Sequence, residues 1–167
     1  MDSNTPTSGY DREHRGLQRR IRLVFGLILL LLIAFRFVIG VAVVRDDGMS
    51  PVLKSGRPVF YLRLSRDPGR GDLVCLRLPD GNTAVRRVVA TPGDSVDIRE
   101  GFAYINGLTE RGSYGFTRTD RRDGGPVYPI ILRRGEYFVL GDARETAVDS
   151  RVFGAVQADG LLGRVPD

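Results

Sequence analysis

The hydrophobic pattern divides the chain into three parts. Residues 23–44, "LVFGLILLLLIAFRFVIGVAVV", form a run of 22 residues that is interrupted by one charge, Arg36. A helix of this length would span about 33 Å, close to the hydrocarbon thickness of a bilayer. Residues 1–22 are polar, whereas residues 45–167 alternate short apolar runs with turn residues. The pattern therefore predicts a tail, a transmembrane anchor and one folded domain.

After Val44 the apolar runs have the length and composition of β-strands. They are "RPVFYLRL", "DLVCLRL", "TAVRRVVA", "SVDIREGFAYING", "EYFVLGD" and the final "LLGRVPD". Between or within them, "PDGN", "REG" and "NG" carry the Gly, Asn and Asp residues that tight hairpin turns favour. Thr109–Gly125 is polar and glycine-rich without a clear period, which predicts a long, mobile surface loop. We therefore expect a mainly β fold of antiparallel sheets with one N-terminal transmembrane helix.

Charge asymmetry predicts the orientation of the anchor. The arginines that precede the apolar run are Arg12, Arg15, Arg19, Arg20 and Arg22. The positive-inside rule puts residues 1–22 in the cytoplasm and residues 45–167 outside the plasma membrane, with a single crossing. A cleaved signal peptide is the alternative, but no clean small-x-small site precedes "RDD". Arg36 is costly inside the bilayer, so it either reaches the interface or meets an acidic partner in another membrane protein.

Composition excludes several kinds of chemistry. His14 is the only histidine and lies in the polar tail, so neither a Ser-His-Asp triad nor a histidine metal site can form. Cys75 is the only cysteine and lies in an apolar run, which predicts a buried strand residue and no disulfide within the chain. The net charge of +5 is too diffuse to indicate nucleic acid. No metal or other cofactor is expected.

Four motifs, in order, resemble the boxes of type I signal peptidases. "GMSPVLKSG" resembles their Ser-Met-x-Pro-Thr-Leu box, and "GRGDLVCLRLP" resembles their Gly-Asp-hydrophobic strand. "VRRVVATPGDSVDI" is similar to their Lys-Arg-Val-x-x-x-Pro-Gly-Asp box, and "GEYFVLGDARETAVDSRVFGAV" to their last box. The resemblance covers nearly all of residues 46–165. It implies a signal-peptidase-like β domain and a membrane-bound serine endopeptidase that uses a Ser nucleophile and a Lys general base.

The chain departs from that family at the residues that perform the chemistry. Gly48 stands at the nucleophile position and Arg86 at the general-base position. Glycine has no side chain, and a guanidinium, whose pKa exceeds about 12, cannot accept a proton near neutral pH. Asp46 stands where the family has a hydroxyl that stabilises the oxyanion, and Ala147 where it has a serine beside the lysine. No catalytic residue is therefore expected, and we hypothesise that Arg86 reaches Asp46 or Asp47 in a salt bridge.

Two residues are weak substitutes for the missing dyad. Ser50 is the nearest serine, and Lys54 is the only lysine in the chain. In an extended strand they would lie about 13 Å apart, too far for a hydrogen bond. The residues expected to line the retained substrate groove are Asp46, Gly48, Met49, Ser50, Pro51 and Val52. Of these, Met49, Pro51 and Val52 are predicted to form an apolar surface that touches lipid, whereas Leu53 is predicted to be core.

The resemblance also implies a set of supporting residues. These are Asp142, Asp149, Ser150 and Arg151, of which Asp149 and Arg151 match an ion pair that braces the site in the family. By sequence alone, these two and the nearby Arg144 would count as an ordinary surface charge cluster.

Three functions remain open. The first is a non-catalytic member of the fold that binds exported polypeptides, such as a pilin or its sortase, during secretion or pilus assembly in Gram-positive bacteria. The second is an active type I signal peptidase with a non-standard dyad. The third is a structural membrane anchor for a protein complex, with Arg36 as the contact between helices.

Overall fold

The computed structural model describes residues 8–65, 67–110 and 118–166. They form two units, an N-terminal helix that ends at Val38 and a β domain that begins at Ile39. Helix α1 spans Ser8–Val38, and its Gln18–Val38 part, of 21 residues, is long and apolar enough to cross a membrane. The helical anchor predicted from the sequence is therefore present as an N-terminal apolar helix.

The helix ends at Val38, whereas the apolar run continues to Val44. Residues Ile39–Val43 instead form strand β1, antiparallel to β2. Gly40 permits this pairing, since a Cβ there would lie 2.1 Å from a ring carbon of Tyr61. Arg36 consequently lies in the last turn of α1 rather than deep inside a longer helix.

Each apolar run predicted to be a strand is one. The strands are β1 Ile39–Val43, β2 Pro58–Leu62, β3 Leu73–Arg77, β4 Thr83–Ala90, β5 Ser95–Arg99, β6 Phe102–Ile105, β7 Leu108–Thr109, β8 Ile130–Ile131, β9 Glu136–Leu140, β10 Val156–Gln157 and β11 Leu161–Val165. They form a seven-stranded sheet in the order β1-β2-β11-β3-β4-β9-β10 and a four-stranded sheet in the order β7-β6-β5-β8. All pairs within both sheets are antiparallel.

Two of the predicted turns have the backbone that their sequences require. Glu100 and Gly101 join β5 to β6 with φ of 52° and 82°, and Asn106 and Gly107 join β6 to β7 with φ of 53° and 78°. Two successive positive φ angles give the twist that matches antiparallel strands, which is why Gly follows in both turns.

The core consists of three clusters on the two sheets. One lies between the four-stranded sheet and the β4–β9 region and includes Ile98, Phe138 and Leu140. Another includes Val44, Met49, Cys75 and Val85, and the third is built from β3, β4 and β9. A short helix, α2 (Ser150–Phe153), and a 3-10 turn (Ala158–Gly160) complete the described elements. The second cluster positions the segment that follows β1, which carries the candidate site.

Candidate functional site

Arg86 and Asp46 form the centre of the candidate site. Arg86 lies on β4 with its side chain 0% exposed, whereas the Asp46 side chain is 35% exposed. Nη2 of Arg86 donates to Oδ2 of Asp46 at 2.8 Å and Nη1 donates to Oδ1 at 3.2 Å. Nη1 and Nε also donate to the carbonyls of Val85 and Val148, at 2.6 and 2.9 Å. The hypothesised salt bridge is present, and Asp46 rather than Asp47 is its acid.

Gly48 lies directly beneath this guanidinium. Its N–H donates to Oδ1 of Asp46 at 2.9 Å, and its carbonyl accepts from the N–H of Ala143 at 3.0 Å. A Cβ added to Gly48 would lie 3.0 Å from Cζ of Arg86 and 3.1 Å from both terminal nitrogens. The volume that a side chain at position 48 would need is therefore occupied by the arginine.

Ser50 and Lys54, the weak substitutes for the dyad, lie in or beside a segment of turns. Residues 48–53 form turns rather than the extended strand assumed from the sequence, with Ser50 N–H donating to Asp47 O at 3.0 Å and Leu53 N–H donating to Met49 O at 2.9 Å. Ser50 is half-buried and Lys54 is exposed. Among the described residues, no hydrogen bond joins the Ser50 hydroxyl to the Lys54 amine, and such a bond is what a nucleophile and its base require.

The same turns correct the prediction for Met49. Met49 is fully buried against Val44, Cys75 and Val85, so it is a core residue and cannot contact lipid or a bound polypeptide. The prediction failed because the chain reverses after Gly48 and directs the next side chain inward. Pro51 and Val52 are exposed, as expected, and Leu53 packs partly buried against this core.

A buried charged cluster supports the loop that contacts Gly48. Nε and Nη2 of Arg151 donate to the two carboxylate oxygens of Asp149 at 2.9 and 2.8 Å, and both side chains are buried. Asp149 also accepts from the N–H of Gly141 at 3.0 Å, and the hydroxyl of Ser150 accepts from the N–H of Val139 at 3.0 Å. These bonds tie α2 to the end of β9, immediately before the Ala143 N–H that holds Gly48.

Asp142, in the loop after β9, joins this loop to β4 through Arg87. It receives 2.8 and 2.7 Å hydrogen bonds from Nε and Nη2 of Arg87. Nη1 of Arg87 donates to the carbonyl of Gly71 at 2.8 Å. Arg87, Asp142 and Gly71 belong to three different boxes of the sequence, and these boxes therefore meet at the Arg87 side chain.

Arg144, which sequence alone would class with a surface charge cluster, is buried. Its guanidinium donates to both carboxylate oxygens of Glu110, at 2.8 and 2.7 Å, and to Oγ1 of Thr119 at 2.8 Å. Glu110 and Thr119 are themselves buried. The predicted mobile loop, Thr109–Gly125, is therefore anchored at two points, and its residues 111–117 lie outside the described residues. No local sequence pattern predicted the buried ion pair of Arg144 and Glu110.

Asp94 and Cys75 are among the ionisable groups whose pKa values are shifted by their surroundings. Burial would raise the pKa of Asp94, but hydrogen bonds from Arg70, Thr91 and Asn106 outweigh it and lower the pKa to about 2. Burial raises the pKa of the Cys75 thiol to about 12, so the thiol is protonated near neutral pH and does not act as a nucleophile. Asp94 is a bracing residue, and Cys75 is the buried strand residue that the sequence predicted.

Two strand edges beside the site pair with no further strand among the described residues. β1 is the edge of its sheet, and the Thr83–Arg86 half of β4 pairs with β3 alone among the described strands, since β9 pairs only with later residues. A cleft of about 460 Å³ is lined by Val41 and Val43 and also by Thr83. A second cleft, of about 310 Å³, is lined by Asp46 and by apolar residues that include Val148 and Phe153. Backbone edges and two clefts, of which the one that includes Asp46 is mainly apolar, therefore lie beside the site.

The fold and site together define a mainly β protein with an N-terminal apolar helix that is long enough to cross a membrane. The family described as "Signal peptidase, peptidase S26" matches residues 17–166, and the chain belongs to that family. It is 29% identical to signal peptidase IB of Staphylococcus aureus strain N315, over 81% of this chain and 80% of that relative. It is 26% identical to signal peptidase I P of Bacillus subtilis subsp. natto, over 85% and 84% of the two chains. A signal peptidase I crystal structure from Enterococcus faecalis V583 aligns with a TM-score of 0.48 and 26% identity, over 59% of this chain and 97% of that one.

Proposed function

We propose that this chain is a non-catalytic member of the signal peptidase family that binds exported polypeptides at the outer face of the plasma membrane. One observation carries the proposal: the guanidinium of Arg86 occupies the space that a side chain on Gly48 would need, and Asp46 holds it there. Its partners in this role are exported chains, such as a pilin or its sortase, and its process is pilus assembly or general secretion.

The chemistry of the Ser-Lys dyad needs a nucleophile and a neutral amine in contact with it. Gly48 supplies no nucleophile, and a guanidinium, unlike a neutral amine, cannot act as a general base near neutral pH. Asp46 at the oxyanion position adds a carboxylate where negative charge would have to develop, which opposes catalysis. Each of the three residues therefore favours an inactive site.

Polypeptide binding does not require any of those catalytic groups. An extended peptide can add to an open strand edge through main-chain hydrogen bonds, while pockets receive alternate side chains. The unpaired edges of β1 and of residues 83–86, with the clefts beside them, meet this requirement. The five arginines that precede the apolar run of residues 23–44 favour a cytoplasmic N-terminus, which leaves the β domain on the side where exported chains emerge.

The proposal is tested with the full-length protein in detergent and phospholipid and a substrate that carries a signal peptide. We expect no cleavage under conditions in which an active signal peptidase cuts the same substrate. Cleavage at the signal-peptide junction that is lost in Ser50→Ala or Lys54→Ala would overturn the proposal and establish a non-standard dyad. Ser55→Ala is the matched control, because Ser55 is an exposed serine in the same loop.

A further inference from the structure

The cleft between β1 and β4 is strongly basic. Arg45, Arg63 and Arg77 line it, and no Asp or Glu is among the described residues of its lining. These arginines come from three places in the sequence: the segment after β1, the residue after β2 and the end of β3. The cleft therefore concentrates positive charge beside two open strand edges.

The two acids that follow Arg45 are engaged elsewhere, since Asp46 pairs with Arg86 and Asp47 accepts a hydrogen bond from the N–H of Ser55 at 3.2 Å. Within the part of the chain that the structure describes, none of the three arginines forms an ion pair, whereas Arg86 and Arg151 each do. Cζ of Arg63 lies 5.2 Å from the centroid of the Tyr61 ring. This contact positions the guanidinium without neutralising its charge.

The nearest acid along the chain from Arg77 is Asp80, which lines the second cleft. Its carboxylate accepts hydrogen bonds from the backbone and side-chain nitrogens of Asn82, both at 2.9 Å. Asp80 is therefore engaged in its own turn rather than in the basic cleft.

We propose that this cleft selects extended polypeptide segments with acidic side chains at alternate positions. The inference rests on the proposed binding function and adds the chemical class of the ligand. In an extended chain, every second side chain points to the same face, so one register can direct several carboxylates toward Arg45, Arg63 and Arg77. Complementary charge of this kind contributes selectivity and a faster association rate more than large binding energy.

A peptide fits this surface better than an anionic lipid headgroup. Both ligands would satisfy the arginines, but the edges of β1 and of residues 83–86 present backbone carbonyls as well as N–H groups. A strand supplies donors and acceptors in the alternation that such an edge requires, whereas a phosphate supplies acceptors almost exclusively.

The test measures peptide binding to the full-length protein in phosphatidylcholine nanodiscs by fluorescence anisotropy. Three labelled peptides of about ten residues share the same apolar positions and carry Glu, Gln or Lys at alternate positions. We expect the Glu peptide to bind about tenfold more tightly than the Gln peptide at low salt and the Lys peptide to bind most weakly, since each partly exposed ion pair contributes about a two- to fivefold effect. The preference should shrink at high salt.

Variants identify the arginines that cause the preference. The double variant Arg45→Gln/Arg77→Gln should lose most of it while leaving the Arg63–Tyr61 contact intact, and adding Arg63→Gln should abolish it. The matched control is Arg133→Gln/Arg134→Gln, because these two exposed arginines precede β9, away from the cleft. The control should retain the wild-type preference.

The outcomes separate this inference from the proposed function. Binding that is equal for all three peptides, or a Glu preference that survives in the triple variant, would refute acid selectivity while leaving polypeptide binding in place. Absence of binding by every peptide would refute the proposed function and the inference with it. Arginine-dependent binding of phosphatidylglycerol vesicles without any peptide charge preference would assign the cleft to lipid and overturn the proposal.

Discussion

Cζ of Arg86 lies 3.0 Å from the point that a Cβ on Gly48 would occupy. The two departures from the signal peptidase dyad are therefore one packing arrangement, in which the arginine fills the volume that glycine leaves open. Restoring a serine at position 48 alone would crowd this buried guanidinium, which Asp46 and two backbone carbonyls hold in place. We therefore expect the effect of a substitution at Gly48 on stability to depend on which residue stands at position 86.

Stability should show this coupling between positions 48 and 86. We expect Gly48→Ala to cost about 1 kcal/mol of unfolding free energy in the wild-type protein, because the added methyl overpacks against Arg86. In an Arg86→Ala background the same change should cost nothing, which gives a coupling energy of about 1 kcal/mol. Denaturant unfolding of the detergent-solubilised chain measures all four proteins.

The matched control for this double-mutant cycle of Gly48 and Arg86 is Gly69→Ala, since a Cβ at Gly69 would have no neighbour closer than 3.9 Å. Gly69→Ala should show no coupling to Arg86→Ala. Additive effects at Gly48 and Arg86 would contradict the packing that the structure shows between them.

Removing the acid of the central ion pair should destabilise the domain. Asp46→Ala would leave a fully buried guanidinium without its carboxylate and would remove the acceptor for the Gly48 N–H. Because the Asp46 side chain is 35% exposed, we expect a loss of about 2 kcal/mol, less than for a fully buried pair. Asp47→Ala, at the exposed neighbouring acid, should change the unfolding free energy by less than about 0.5 kcal/mol. Equal effects of the two substitutions would contradict this assignment.

Asp94 should give the protein an acid-sensitive component of stability. Its folded-state pKa of about 2 lies below the ordinary value of 3.8, so its contribution is present above about pH 4 and is lost as the pH falls toward 2. Since Arg70 is about half exposed, that contribution should be about 1 to 2 kcal/mol rather than the full value of the shift.

Asp94→Asn should therefore lower stability at neutral pH and flatten its dependence on pH between 4 and 2, as measured by denaturant unfolding across that range. Asp159→Asn, at an exposed acid before β11, should leave the acid dependence unchanged. If the wild type and Asp94→Asn lose stability in parallel on acidification, another carboxylate is responsible.

The position of Arg36 predicts that membrane insertion tolerates an arginine at the end of the apolar helix better than an arginine in its middle. Arg36 lies in the last turn of α1, where a long side chain can reach the membrane interface, whereas Ile28 lies near the middle of Gln18–Val38. Arg36→Leu should leave insertion unchanged, but Ile28→Arg should reduce it, because a central arginine costs about 2.5 to 3.5 kcal/mol. Alkaline extraction of membranes measures the inserted fraction. Equal extraction of the two variants would contradict the predicted dependence of insertion on the position of the arginine.

Local patterns were sufficient to predict strands β2 to β6, β9 and β11, but not β1, β7, β8 or β10. Alternating apolar runs, Gly-containing turns and the order of the family boxes identify β2 to β6 and the residues around Gly48, because these features depend on neighbours in sequence. The boundary between helix and β1 was not predictable in the same way. Val and Ile suit both a lipid environment and a sheet edge, so only pairing with β2 decides where the helix ends.

The remaining misses depend on contacts between distant residues. Glu110 and Arg144 are 34 residues apart, and nothing local to "TER" indicates that its acid is buried. The inward direction of Met49 follows from the turn after Gly48, whose geometry the box sequence alone does not specify. In contrast, a salt bridge of Arg86 with Asp46 or Asp47 was predicted from the sequence, because a positive charge and two acids stand at or beside the positions that resemble the dyad, and Asp46 is the acid.

Site-specific crosslinking in living cells should identify what the groove binds. Photo-crosslinking residues belong at exposed Val41 and Val43 on the open edge of β1, because Gly48 and Met49 are buried and cannot reach a ligand. We expect these probes to capture an exported polypeptide, such as a pilin or its sortase. A probe at Ile131, which is also exposed but lies on the four-stranded sheet, should not capture it.

Bulky substitutions at Val41 and Val43 should impair assembly or secretion of the captured chain, since they obstruct the edge to which it adds. Gly48→Ser with Arg86→Lys should not be needed for that process, because binding does not use the dyad. The double variant is also expected to remain inactive, since Asp46 still opposes an oxyanion and Ala147 leaves the lysine without a hydroxyl partner. Crosslinks to lipid alone, together with normal assembly in the groove variants, would instead indicate a membrane anchor or scaffold that acts through another face.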